Sequence, residues 1–420
     1  MPFILQTIIM TKRLIGLAAL AVAVFLLAKQ LSAADQPAAT KQSTGATSST
    51  EDSPKPAGDS TTAASGAEAE YRSLYKQWQA LAADMAELHM RFQLPATDRA
   101  ALEKQREELV GKTDELSARL QTAAEQVYAA DNKNQEVGSL LFTMAATYLA
   151  QDKPEAALRL AQFLIDHQFP LPEVNRLAAS AAFATMDLDA AEKYMKAAGG
   201  GKIPSDPETQ KFMAAVARYR PKWEREQKFR EAEAKADDLP RVKIKTTKGD
   251  IVVELFENEA PNTVANFINL AGSGFYDGTL FHRVLPQFMA QGGDPKSKDL
   301  ENFRPAFSNG GPGYTIPDEC TRPEHREHFR GSLSMAHTEL PDSAGSQFFM
   351  CFVPTEHLDG KFTSFGRVIE GLDVLSNLQR IDPSHTTAVS PDKILKMEIL
   401  RKRDHEYTVK KTGEAAGSKQ

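Results

Sequence analysis

The chain has 420 residues, 41% apolar and 25% charged, a balance ordinary for globular protein and long enough for more than one domain. Its net charge of −6 gives no reason to expect nucleic acid or an anionic membrane surface as a main partner. Two cysteines, Cys320 and Cys351, exclude a disulfide framework.

Lys12-Arg13 precede an unbroken apolar run over residues 14–28, which Lys29 closes; Ser32-Ala33-Ala34 and Asp35 follow. That is the order of a secretory signal peptide, with cleavage expected after Ala34. The run is shorter than the ~20 residues a spanning helix prefers, but left uncleaved it would serve as an anchor. Met10 offers an alternative start. Residues 1–34 therefore predict an exported protein, periplasmic or extracytoplasmic, with membrane attachment only through an uncleaved N-terminal segment. Residues 35–69 are rich in Ala, Ser, Thr, Pro and Gly. They bury too little apolar surface to offset ordering entropy and are expected to form a disordered linker.

A helical domain is expected over residues 70–237. Tyr71, Leu74, Trp78, Leu81, Met85, Leu88 and Phe92 step by three and four, the seam of one helix face. Pro95 ends that helix and Asp98 is placed to cap the next, whose stripe is Leu102, Leu109, Leu116, Leu120 and Val127. The short link implies an antiparallel hairpin. From 136 to 201, Ala145, Tyr148 and Ala157 have counterparts 34 residues later at Ala179, Ala182 and Ala191. That period resembles tetratricopeptide-type repeats, although Ala182 stands where an aromatic is usual. Such hairpins either present a groove to a protein partner or act as a scaffold. A charged helix over 207–236 follows, with a kink expected at Pro221.

At Pro240 the period switches to two. Val242 and Ile244, then Ile251, Val253 and Leu255, flank Lys248-Gly249-Asp250 as a β-hairpin. Further short strands are expected at 280–285, 288–292, 331–337, 347–353, 363–368 and 394–400, with helices only at 261–273 and 372–378. This composition predicts a mainly-β closed eight-stranded barrel with two helices over residues 238–405, and a disordered polar tail over 406–420.

Several separated blocks in this half carry a resemblance. They are Pro261-Asn262-Thr263-Val264; the run Phe281-His282-Arg283-Val284-Leu285-Pro286-Gln287-Phe288-Met289-Ala290-Gln291-Gly292-Gly293-Asp294; Gly313-Tyr314-Thr315-Ile316-Pro317; Gly331-Ser332-Leu333-Ser334-Met335-Ala336; and Gly345-Ser346-Gln347-Phe348-Phe349-Met350 with Leu358-Asp359-Gly360-Lys361. In order and spacing they resemble the cyclophilins, peptidyl-prolyl cis/trans isomerases. The resemblance covers residues 241–400. It implies a cyclophilin-like barrel that rotates X-Pro bonds in unfolded or flexible polypeptides, needing no cofactor and no metal.

The residue types suit that chemistry. X-Pro rotation crosses a barrier of about 18–20 kcal/mol set by C–N double-bond character. In the twisted transition state the proline nitrogen becomes pyramidal and can accept a hydrogen bond, so a donor aimed there binds the transition state selectively. Arg283 is the expected catalytic donor, because a guanidinium among Phe, Met and Leu otherwise has only a desolvation cost. By resemblance, Phe288, Met289, Phe349 and Leu358 wall the proline slot, Phe362 and His357 stand at its rim, and Gln291 holds Arg283 in place. Gln347 belongs to the same binding set, and the backbone around Ala336 and His337 would pair with an extended peptide. The competing reading for these residues is barrel core and a buried ion pair, and Phe348 is expected to be core.

Two departures stand out. Many cyclophilins carry a rim tryptophan that contacts cyclosporin; this chain has His357, which predicts weak cyclosporin binding. Phe362 occupies a rim position often held by histidine, and residues 296–307 lengthen a loop. Cys320, His325 and His328 lack a fourth zinc ligand and are expected in a solvated loop, while Cys351 is expected in the core. A second class of function, a peptide-binding scaffold or chaperone whose helical domain recruits a partner, would leave the isomerase activity secondary.

Overall fold

The computed structural model describes residues 60–92, 98–299, 303–304, 308–384 and 390–413. The expected signal peptide and most of the expected linker lie outside them. The described residues fall into two compact units: one takes those up to Thr147 with Leu160–Leu171, the other takes Tyr148–Arg159 and those from Pro172 onward.

In the first unit, α1 (Ser60–Phe92) and α2 (Arg99–Ala130) pack along their apolar stripes, with Leu74, Leu88, Leu102 and Leu120 nearly inaccessible. Asp98 caps α2 by accepting from Ala101 N at 3.1 Å, which satisfies one of the free amides of the first turn. Helix α1 begins at Ser60, inside the stretch expected to be linker. Ala63, Ala64, Ala67 and Ala69 give it high helix propensity, so it extends the seam helix backwards.

Four further helices follow, α3 (Gln135–Ala150), α4 (Pro154–Asp166), α5 (Glu173–Ala184) and α6 (Leu188–Ala198). α3 and α5 end 34 residues apart, as α4 and α6 begin 34 apart, and the turn residues Asp152 and Met186 both take left-handed φ near 64° (63° and 65°). Ala145, Ala157, Ala179, Ala182 and Ala191 are fully buried, as small residues at close helix contacts must be. Helix α7 (Pro207–Ala236) runs unbroken through Pro221. Tyr219 and Trp223, on either side of the proline, both pack on Phe329, which anchors the helix across the expected kink.

The second unit holds eight strands, β1 (Arg241–Thr246), β2 (Gly249–Leu255), β3 (Arg283–Leu285), β4 (Met289–Gly292), β5 (Ser332–Met335), β6 (Phe348–Cys351), β7 (Ser364–Glu370) and β8 (Ile394–Arg401). They form one antiparallel sheet in the order β3-β4-β6-β5-β7-β2-β1-β8. The sheet curls into a barrel. Its end strands meet through the Leu280–Lys393 bridge and the Phe281 N to Asp392 O hydrogen bond rather than a full ladder. Helix α8 (Pro261–Gly272) places Val264, Phe267 and Ile268 in the core beside Phe348 and Phe365, and α9 (Leu372–Asn377) adds Leu375. Glu319 caps α8 from a distant loop, accepting from Thr263 N at 2.8 Å and Asn262 N at 3.2 Å.

One expectation is corrected here. The start of the tail is ordered against the barrel: Tyr407 is buried in the core, its hydroxyl donates to Glu257 at 2.9 Å, and Gly413 bridges Thr315. A single large aromatic supplies the burial that the polar composition hides. Helices α5 to α7 belong to the same compact unit as the barrel. Buried ion pairs from α7 account for that.

Candidate active site

Strand alternation sorts two sets of side chains. Val284, Ala290 and Met350 oppose one another across β3, β4 and β6 and enter the core. The intervening residues Arg283, Gln291 and Phe349 form a row on the other face, and Leu285, Met289 and Cys351 form the next. Over these rows lie Leu358, from the 3-10 turn Glu356–Leu358, and Phe362. The result is an apolar slot built by Met289, Phe349 and Leu358, with Phe288, Ala336 and Phe362 around it. Phe362 meets Phe349 edge-on at 5.8 Å, His337 stacks on Phe362 at 4.3 Å, and His357 stacks on Phe288 at 5.5 Å. Phe348 points the opposite way, into the core.

Arg283 is half-buried at this slot. Its Cζ stands 5.5 Å from the Phe288 ring centre and its Nη1 lies 3.8 Å from Met289 Sδ and 3.3 Å from Gln291 Oε1. Among the described residues these are its polar side-chain contacts, and no carboxylate pairs with it directly. Burial lowers its pKa, with the more distant Asp382 acting against the shift, but a guanidinium remains cationic at any ordinary pH. A cleft of about 520 Å³ opens beside it between Gln291, Ser308 and Asp382.

A hydrogen-bonded series fixes the orientation of Gln291. Its Nε2 donates to Gln347 Oε1 at 3.0 Å, and Gln347 Nε2 donates to Asp294 Oδ2 at 3.2 Å and Gly310 O at 3.1 Å. Asp294 is fully buried and also accepts from Ser308 Oγ at 2.6 Å and Gly310 N at 2.9 Å. Each amide has its oxygen toward one neighbour and its nitrogen toward the next, so Gln291 presents Oε1 to Arg283. Gly293, at φ 85°, makes the turn that sends Asp294 back to this point; a Cβ there would meet Ser346 O at 2.5 Å. Ser308 gives its proton to Asp294, so it accepts from His282 Nε2 at 3.0 Å. His282 is thereby held as the neutral Nε2–H tautomer, and burial lowers its pKa to about 4.

Comparison with known proteins shows the family. A family described as cyclophilin type peptidyl-prolyl cis-trans isomerase/CLD matches residues 241–399. A peptidyl-prolyl cis-trans isomerase of Synechococcus elongatus is 46% identical over 141 residues, which cover 33% of this chain and 88% of that relative. One from Helicobacter pylori is 47% identical over 141 residues, 33% of this chain and 80% of the relative. The chain belongs to the cyclophilin-type peptidyl-prolyl cis-trans isomerases. A solved cyclophilin of this type from Cryptosporidium parvum is similar at 32% identity, covering 39% of this chain and 99% of that one, with a TM-score of 0.34.

In this cyclophilin every side chain singled out from sequence at the slot lies in the one constellation: Arg283, Phe288, Met289, Gln291, Gln347, Phe349, His357, Leu358 and Phe362, with Ala336 and His337 alongside. Ala336 N is already engaged, donating to Gln347 O at 2.9 Å. The expectation of a solvated loop for Cys320, His325 and His328 is overturned for Cys320 and His328, while His325 stays partly exposed. Cys320 is buried and His328 wholly so, because His328 packs flat behind Phe349 at 6.0 Å and its Nδ1 meets Asp359 Oδ1 at 3.0 Å. Asp294 and Ser308 were not singled out from sequence, and His328 was weighed there only as a metal ligand. Asp294 stands in the Gly-Gly-Asp of the signature and was legible there; Ser308 lies in a polar stretch with no pattern to mark it.

Proposed function

We propose that this chain is an exported isomerase that speeds X-Pro rotation in proline-containing, unfolded or flexible client polypeptides, with Arg283 stabilising the twisted transition state. The observation that carries the reading is a guanidinium held over an apolar slot by Gln291, with no carboxylate paired to it among the described residues. The proline ring fills the slot between Met289, Phe349 and Leu358. Nη protons of Arg283 then face the imide nitrogen, which accepts only once it has left the amide plane. Since no bond is made or broken and no proton transferred, differential binding of the rotated amide is sufficient. Gln291 positions Arg283, and the backbone at His337, just past the end of β5, aligns the client. Export rests on the charged, apolar, small-residue order of residues 1–34.

The test is a proline-tetrapeptide isomerisation assay on the full chain. Wild type is expected to be active and Arg283→Ala to lose nearly all activity. An Arg283→Ala variant with wild-type rate would refute the role given to this residue, and an inactive wild type would refute the function. Secretion of a reporter fused after Ala34, compared with a fusion lacking residues 1–34, tests export.

A further inference from the structure

The walls of the slot rest on two surface turns, and each turn is gripped by a charged residue from the helical segment that precedes the barrel, one on a helix and one in an interhelical turn. The turn between β3 and β4 carries Phe288. Its Gln287 takes a left-handed φ of 57°, and Gln287 N donates to Asp152 Oδ1 at 2.8 Å. Asp152 is itself buried, held by Arg380 Nη2 at 2.7 Å, while its carbonyl accepts from Ser376 Oγ at 2.6 Å. The 3-10 turn Glu356–Leu358 carries the rim residue His357 and the wall residue Leu358. Lys222 of α7 reaches it with one ammonium placed among three carboxylates, 2.7 Å from Asp359, 3.2 Å from Glu356 and 4.0 Å from Glu327. Arg218, one turn earlier, adds a 2.9 Å pair to Glu356. Asp359 in turn holds His328, the ring lying flat behind Phe349. Phe288 and His357, the tips of the two turns, stack on each other.

A slot wall is useful only if it stays in register with its opposite wall, and a loop has little rigidity of its own. Exposed ion pairs contribute little to stability, but Lys222 and Asp359 are mostly buried and share their charges with neighbours, where such contacts fix geometry. We propose that Lys222 and Asp152 are positioning residues of the isomerase: they hold the Leu358 and Phe288 turns at the separation a proline ring requires, and so make the helical segment a working part of the catalytic unit. This rests on the reading of the slot as the proline site.

The test uses the full chain and the proline-tetrapeptide assay, with kcat and KM separated and folding checked by circular dichroism and thermal melting. Lys222→Met and Asp152→Ala are expected to raise KM about five- to tenfold, with kcat changed less than twofold because the Arg283 contact is intact. Lys222→Arg and Asp152→Asn, which keep the grip on the Leu358 turn and on Gln287 N respectively, are expected to recover most of the lost affinity. Folded Lys222→Met and Asp152→Ala variants with wild-type KM would overturn the proposal. Should either variant fail to fold, Arg218→Ala, which removes only the outer pair to Glu356, is expected to raise KM about twofold; an unchanged KM would overturn the role of the α7 clamp. An inactive wild type would instead strike the functional reading, which the Arg283→Ala comparison isolates.

Discussion

Arg326, wholly buried at the edge of the barrel, holds Glu226 of α7 with two prongs, Nε to Oε2 at 2.9 Å and Nη2 to Oε1 at 3.0 Å. Its third nitrogen meets Glu233, two turns further along the same face of the helix, and its Cζ lies 3.8 Å from the Phe256 ring centre. Arg367 of β7 reaches Glu233 at 2.6 Å and Glu254 at 2.7 Å, extending the network into the sheet. Removing Arg326 takes a fully buried partner from both glutamates and leaves Glu226 to Arg230 and Glu233 to Arg367, a loss that costs about 3–5 kcal/mol. Arg326→Met is therefore expected to lower the unfolding free energy of the full chain by that amount in urea titrations. A fragment starting at β1, which loses both glutamates of α7, is expected to lack a cooperative melt.

Arg283 makes the contrasting case. A half-buried cation without a direct carboxylate partner adds little to stability. Arg283→Ala is expected to leave the melting temperature within about 3 °C of wild type, since surface and partly buried changes without lost pairs stay near 0.5 kcal/mol. Its kcat/KM should fall at least ~100-fold, the usual cost of removing one preorganised donor. Arg283→Lys is expected to recover little, because a point charge on a flexible stem does not reproduce a planar fork.

The rim predicts a drug response. His357 stacks on Phe288 where many cyclophilins present a tryptophan to cyclosporin. Wild type is expected to bind cyclosporin weakly by calorimetry. His357→Trp should tighten binding at least about tenfold, corresponding to the ~1.4 kcal/mol that an added aromatic contact of this size supplies.

Glu327 gives a pH signature. Burial, followed by its bond to Asp359 and that carboxylate's charge, raises its pKa to about 7, against the pull of Lys222 and Arg225. Asp359 moves the other way: burial alone would raise it, but hydrogen bonds from His328, Glu327 and Lys222 hold it well below the usual range. A raised carboxyl stabilises the fold fully below its unfolded pKa and loses that contribution as pH climbs through the folded value. His282, depressed to about 4, has the opposite slope, since the unfolded chain takes up the proton first as pH falls. The two oppose each other in wild type. Glu327→Gln isolates the effect: it is expected to match wild type near pH 4.5 and to become more stable from there to pH 7, reaching at most about 3 kcal/mol. Denaturant midpoints of both proteins across pH 4.5–8 provide the measurement.

The slot was readable in the residue order because its chemistry is local. Arg283, Phe288, Met289 and Gln291 fall within nine positions of a run that resembles the cyclophilin signature; the resemblance assigns Phe349 to the slot, and period-two alternation then turns Phe348 the other way. The core strands were readable for the same reason, as Val242, Ile244, Ile251 and Val253 show. What escaped was the long-range polar structure. Glu226 and Glu233 sit in a helix whose composition reads as a solvated charged surface, and Arg326 sits in the polar run Glu324-His325-Arg326-Glu327-His328; nothing in either segment announces that each neutralises the other. Lys222 and Asp152 are hidden in the same way, each an ordinary surface residue type until the chain folds. Tyr407 was missed because one aromatic in a polar tail leaves no periodicity.

Arg283, Gln291 and Phe349 project from the side of the sheet opposite Val284, Ala290 and Met350, so the surface proposed to meet clients lies on the outside of a filled cylinder. A client of any length can drape across it in mid-chain, without a free end to thread and without entering an enclosed chamber. A proline within a half-built loop is thus as reachable as one near a terminus, and the enzyme has only to touch it and let go.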